Sequence, residues 1–249
     1  MTSLPAALRP IRRTRASRGA RALAVAATGL ALAATLSACS DDDGADGGGA
    51  PANDVLGEAK THLDETSGVR LTLATDGTAD GDFLKSATGV ITDAPAFEGS
   101  VDARFMGFDA SGIKIVSVDG DLYVDIPVTG WSKQNPEDFC APDPATLLDP
   151  ETGVSGVLGA ATDLEKGESR RGGANNDEIL TDYSATVPGE AITNILPCAP
   201  GDSFDAVFSI DDEGYLRTAK LTGEFFGDDD ITYTIDVEEY DVSQEISAP

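Results

Sequence analysis

Between residues 53 and 66 the apolar positions recur at helical spacing. Val55, Leu56, Ala59 and Leu63 form one stripe, and Asn53 stands where an N-cap belongs. Past Thr66 the period falls to two. Val69, Leu71 and Leu73 alternate with Arg70, Thr72 and Ala74, and Phe97, Gly99, Val101, Ala103 and Phe105 alternate with Glu98, Ser100, Asp102 and Arg104. Ile113 and Ile115 lead into Val118-Asp119-Gly120-Asp121-Leu122, where Asp119-Gly120 is a hairpin signal, and Leu122, Val124 and Ile126 form its second arm. The pattern then breaks. Asp143 to Pro150 reads as a short helix bracketed by prolines, Val154 to Leu164 as a second helix, and Glu165 to Asp177 as irregular. Alternation resumes with Ile179, Thr181, Tyr183, Ala185 and Val187. Pro188 opens a third short helix, Gly189 to Leu196. Strands at 204–210, 216–221 and 231–237 close the chain.

These elements predict an α+β domain of roughly eight antiparallel strands, with one face wet and one covered. The helices available to cover the apolar face are few and short, and the second is built from small residues. Two packings follow: a solid core, or a curved sheet around an apolar cavity. Periodicity alone favours the solid core, since an inward stripe is core by default.

The N-terminus carries a different signal. Arg9, Arg12, Arg13, Arg15, Arg18 and Arg21 form a basic region, and Ala22 to Leu36 is almost wholly apolar. That run is short for a membrane span and suits a signal peptide. It ends in Leu36-Ser37-Ala38-Cys39, with small residues before a cysteine, as lipoprotein processing requires. Residues 1–38 therefore read as a lipoprotein signal peptide, and Cys39 as the site of lipidation. Arg12-Arg13 lacks the apolar continuation of a twin-arginine signal. The Asp- and Gly-rich stretch 39–52 reads as a flexible tether, 53–244 as one domain and 245–249 as a tail. On this reading the protein is extracytoplasmic, lipid-anchored to the outer face of the cell membrane.

Charge narrows the partners. Cleavage at Cys39 removes six of the 17 basic residues, leaving 11 against 44 acids, a net of −33. Such a surface repels nucleic acid and anionic headgroups. The acidic runs at 211–213 and 228–230 fall at predicted turns and read as solvated loops. With Cys39 assigned to lipid, Cys140 and Cys198 remain as an even pair in an exported chain, which reads as a disulfide. No nucleophile elbow, zinc-type ligand set or phosphate-cradling loop is present. The one histidine, His62, falls on the first helix. The sequence thus predicts no enzyme, metal or cofactor.

Several segments resemble the LppX/LprAFG family of actinobacterial lipoproteins. They are Val118-Asp119-Gly120-Asp121-Leu122-Tyr123-Val124, the single Trp131, the stretch Asp143-Pro144-Ala145-Thr146-Leu147-Leu148-Asp149-Pro150-Glu151-Thr152-Gly153-Val154, and Gly189-Glu190-Ala191-Ile192. The resemblance spans about residues 53 to 241. It implies a half-barrel similar to the Lol-type carriers, with helices over a concave face that encloses an acyl-chain cavity. It also implies membrane lipid or glycolipid ligands, carriage from the cytoplasmic membrane toward the outer envelope and, for some members, a major-facilitator exporter alongside. The positions expected to line the cavity are Leu71, Leu73, Val101, Ala103, Phe105, Ile113, Ile115, Val124 and Tyr183 on strands, with Leu158 and Ile195 from the helices. Two competing readings are a structural or adhesive domain with a solid core and no ligand, and a hydrolase acting on envelope glycans. The Cys140/Cys198 pair, the extreme acidity and the irregular segment Glu165 to Asp177 depart from the family pattern.

Overall fold

The computed structural model describes residues 50–249 except 79, 80, 174, 175 and 228. The signal-type segment, Cys39 and most of the tether lie outside these residues.

The described chain begins with α1 (Ala52–Glu65), followed by β1 (Gly68–Asp76), β2 (Phe83–Thr92), β3 (Ala96–Phe105), β4 (Phe108–Val118), β5 (Asp121–Ile126) and β6 (Gly130–Gln134). Next come α2 (Val154–Ala160), β7 (Thr162–Gly172), β8 (Glu178–Pro188), α3 (Gly189–Ile195), β9 (Ser203–Asp211), β10 (Leu216–Gly223) and β11 (Ile231–Tyr240). The 11 strands make one open antiparallel half-barrel sheet in the order β6-β5-β4-β3-β2-β1-β11-β10-β9-β8-β7. The first and last strands of the meander, β1 and β11, meet at its centre and pair from Val69↔Tyr240 to Asp76↔Thr232.

Apolar alternation sets which face is covered. Phe204, Phe208, Ile210, Leu221, Ile235 and Val237 turn to one side and form a core with Leu56, Ala59 and Leu63 of α1, Val157 and Leu158 of α2, and Ile192 of α3. Each such large side chain, fully buried, contributes roughly 1.5–3 kcal/mol of transfer free energy. On the opposite, convex face one row of β1–β4 is polar, with Thr72, Thr88, Ser100 and Lys114 as cross-strand partners, and the next row buries Val90 and Val116 alongside Arg70 and Glu98. The chain end crosses this convex face. Val242 donates its N–H to Gly68 O, and Gln244 Nε2 donates to Glu98 Oε2.

The expected turn between β4 and β5 is present, with Asp119 and Gly120 both at positive φ, as a two-residue hairpin of that twist demands. Several expectations need correction. Three strands escaped the periodicity. β7 replaces the irregular segment at 165–177, and it begins at Thr162, so α2 stops at Ala160 rather than Leu164. β7 and β6 are sheet edges, where a charged or short strand carries no apolar alternation. The pattern of β2 is interrupted by a register shift between Leu84 and Ser86. α1 starts at Ala52, one residue before the expected cap, and no side chain caps it. Pro51 O instead accepts from the N–H groups of Asp54 and Val55. The first prolyl segment forms only a 3-10 turn, Pro144–Thr146. Asp211 is not a solvated loop residue but is buried, and its carboxylate organises the β9–β10 turn. It accepts from the N–H groups of Glu213 (3.0 Å) and Tyr215 (2.9 Å) and from Arg217 Nε (2.7 Å).

Candidate functional site

One cross-strand row runs the width of the concave face. Tyr183 (β8) pairs with Phe208 (β9), Phe208 with Ala219 (β10), Ala219 with Ile235 (β11), and Ile235 with Leu73 (β1). It continues through Ala87 (β2) and Val101 (β3) to Ile113 (β4). Every member is apolar in body. Burial nevertheless divides the row in two. Tyr183, Phe208, Ala219 and Ile235 are buried, whereas Leu73, Ala87, Val101 and Ile113 are only half-buried.

The division follows from where the helices sit. α2 packs on α1, α3 and β8, and α1 reaches β10, so the β8–β11 half is filled by the protein's own side chains. Among the described residues no α-helix packs on β2–β4; the 3-10 turn Pro144–Thr146 reaches those strands. That half is an open apolar trough rather than a closed chamber. A depression of about 270 Å³ lies in β1–β3, and three of its eight lining residues, Leu73, Ala87 and Val101, belong to this row. The other five, Thr72, Ser86, Thr88, Ser100 and Asp102, alternate to the convex side.

Each predicted site residue can now be placed. Leu73, Val101, Ile113 and Tyr183 share the row just described. Leu71, Ile115 and Val124 share the next one, in which Leu71 pairs with Gly89, Gly99 with Ile115, and Ile115 with Val124. Ala103 and Phe105 continue the face toward the tip of the β3–β4 hairpin. Tyr183 and Leu158 belong to the filled core and do not line the trough. Burial pushes the Tyr183 phenol up from its ordinary range. Ile195 closes α3 and packs half-buried against the core. Phe105 is exposed at the trough's outer end, where its ring meets Phe139 at 5.6 Å.

Ala87 belongs to the trough but was not foreseen, because its strand carries no clear alternation. Two more residues shape the floor. Gly89 and Gly99 face each other across β2 and β3, and the Phe97 ring lies over both. A Cβ on Gly99 would strike the Thr88 carbonyl and the Phe97 ring. These glycines let the aromatic ring pack flat against the sheet, as paired glycines covered by an aromatic do elsewhere.

The segment linking β6 to α2 lies against the concave face at β2–β4. Ser117 Oγ donates to Asp143 Oδ1, and the same oxygen accepts from the Ala145 N–H at 3.0 Å. Asp149 Oδ1 accepts from the N–H groups of Glu151 and Thr152 and from Thr152 Oγ1. Those bonds hold its carboxyl below the usual range. Gly153 donates to Asp149 O, and Val154 to Leu147 O, with no room for a Cβ on Gly153. The family-like Asp143–Val154 stretch is thus a compact knot that sets the start of α2. Cys140 and Cys198 are bonded, with a Cα–Cα distance of 5.4 Å, and this ties the segment to the chain just after α3. His62 stacks on Tyr215 at 3.9 Å, and no cysteine thiol is left beside it among the described residues.

Fold and site together define an open antiparallel half-barrel whose apolar concave face is half covered by short helices. The chain belongs to the LppX_LprAFG lipoprotein family, whose family model matches residues 51–247. It is similar to proteins named lipoarabinomannan carrier protein LprG from Mycobacterium bovis (strain BCG / Pasteur 1173P2) and Mycobacterium tuberculosis (strain ATCC 25618 / H37Rv). Each is 30% identical over 183 residues, covering 72% of this chain and 75% of the relative. Among solved structures, LprF from Mycobacterium bovis superposes with a TM-score of 0.65 at 14% identity, covering 80% of this chain and 96% of that one. The Mycobacterium tuberculosis lipoprotein LppX superposes with a TM-score of 0.59 at 15% identity, covering 79% and 98%.

Proposed function

We propose that this protein is an exported lipoprotein, acylated on Cys39, that binds the acyl chains of a membrane lipid or glycolipid on its concave face. From there it carries them from the cytoplasmic membrane toward the outer envelope. The observation that carries the reading is the uncovered half of the apolar row, Leu73, Ala87, Val101 and Ile113. Apolar surface left half-exposed in the middle of a large sheet serves no packing purpose. One further feature supports it: the carrier name of the LprG relatives. An acyl chain leaving a bilayer for water forfeits roughly 0.8 kcal/mol per methylene, and an apolar trough retains part of that burial in transit.

A second reading has an observation in its favour. The β8–β11 half of the face is solidly packed, as a structural domain without ligand requires. Native mass spectrometry of the protein, extracted mildly from its own host, separates the two. The carrier reading expects a population with the added mass of an acyl lipid, released by organic extraction. The protein mass alone, under conditions that preserve lipid on a known carrier, overturns it.

A further inference from the structure

We infer that the tips of the β3–β4 and β5–β6 hairpins form a bilayer-docking surface through which the trough opens onto the membrane. Among the described residues, seven of the eight exposed large apolar side chains fall between positions 105 and 139. Six of them are Phe105, Met106, Phe108, Ile126, Val128 and Trp131, at or beside the two turns. β3 and β5 run in the same direction through the antiparallel sheet, so both turns project from one end of it. Phe108 is 77% exposed and Val128 completely so.

Backbone geometry argues that these side chains are not incidental. Met106 and Val128 sit at φ +50° and +81°. In such turn positions Gly, Asn or Asp is at ease, and a β-branched residue is an outlier. Neither local stability nor solubility explains Met and Val there. Charge points the same way. Residues 105–108 and 126–132 contain no ionisable side chain, in a chain of net charge −27. Two turns free of ionisable side chains and rich in Phe, Met and Trp suit the bilayer interface, where aromatic residues gather. The patch is also continuous with the trough. The cross-strand pairs Val101↔Ile113, Ala103↔Ala110 and Phe105↔Phe108 lead step by step from its centre to the tip. An acyl chain passing between bilayer and trough therefore has an apolar path throughout. Met106 N–H donates to Asp82 Oδ1 (2.6 Å), which fixes the tip's direction relative to the β1–β2 connection.

The inference rests on the acyl-site reading, and its test keeps the two apart. The full chain is used with its single tryptophan moved to the tip (Trp131→Phe with Phe108→Trp), together with phosphatidylcholine vesicles brominated on their acyl chains. The expected result is a blue shift and quenching of the tip tryptophan. Adding Met106→Asp and Val128→Asp, which suit those φ values, should weaken vesicle quenching about tenfold or more. Binding of a soluble fluorescent sixteen-carbon fatty acid should stay within about twofold, since neither residue lines the trough. Emission unchanged by vesicles overturns the inference, as does quenching that survives both Asp substitutions. If vesicle quenching behaves as expected but no variant binds the fatty acid, docking stands and the acyl-site reading fails.

Discussion

Placing Trp at position 101 separates a ligand trough from a packed core. Val101 is half-buried midway between Ala87 and Ile113 on the uncovered half of the row. From Leu73 to Ile113 the row crosses three strand spacings, or about 14 Å at 4.8 Å each. An extended acyl chain laid along it places roughly ten methylenes on the sheet. At about 0.8 kcal/mol for each fully buried methylene, and with one side covered, the row contributes on the order of 4 kcal/mol. An indole rising from Val101 blocks that track, so affinity should fall on the order of a thousandfold. Because the trough is open, the same indole meets no tight wall and should cost less than about 1 kcal/mol of stability. The control is Phe208→Trp, on the same row but fully buried, where overpacking costs about 1–3 kcal/mol. Affinity is read by displacement of a fluorescent fatty acid and stability by urea denaturation. Wild-type affinity in Val101→Trp, or destabilisation equal to that of Phe208→Trp, refutes the reasoning.

Three further outcomes are expected. Replacing both Cys140 and Cys198 with Ser removes a cross-link spanning 58 residues. It should cost about 4 kcal/mol on the chain-entropy account, read as a lower urea midpoint, and should loosen the segment across the concave face. Gly99→Val forces a side chain into the Thr88 carbonyl and the Phe97 ring, and should destabilise by about 2 kcal/mol or more in the same assay. Burial raises the Tyr233 phenol to about 12, against a smaller lowering by the neighbouring Thr75 hydroxyl; the phenol donates to Leu84 O at 2.8 Å. The neutral phenol is thus favoured by the fold. Its contribution, about 2–3 kcal/mol, is complete below the unfolded value near 10 and is lost as pH rises through about 12. Unfolding followed from pH 8 to 12 should show that loss, and Tyr233→Phe should reduce it, the remainder coming from Tyr240 and Tyr183, whose phenols burial also raises.

What the sequence disclosed, and what it concealed, follow from the same physics. Strands with one wet face alternate visibly, so the Val69–Leu73, Phe97–Phe105 and Ile179–Val187 segments were legible, as was the Asp119-Gly120 turn. The edge strand at 162–172 shows Lys, Glu and Arg on both sides, since an edge has little to cover it, and it reads as a loop. β2 hides behind a bulge and a glycine, although its Ala87 sits at the heart of the trough. The site residues were identified as inward-facing, but alternation carries no record of which inward positions the helices reach. Tyr183 and Leu158 therefore proved to be core, whereas Leu73 and Val101 face open space. The exposed tip residues Met106 and Val128 fell in turns, where periodicity has nothing to report.

The central claim is that acyl chains lie against Leu73, Ala87, Val101 and Ile113. Photocrosslinking with a diazirine-labelled palmitoyl lipid, followed by peptide mapping of the adducts, addresses it most directly. The account predicts adducts on these four residues and their neighbours Ala103 and Ile115. Adducts confined to the convex partners Thr72, Thr88 and Ser100, or spread without preference over the surface, would contradict it.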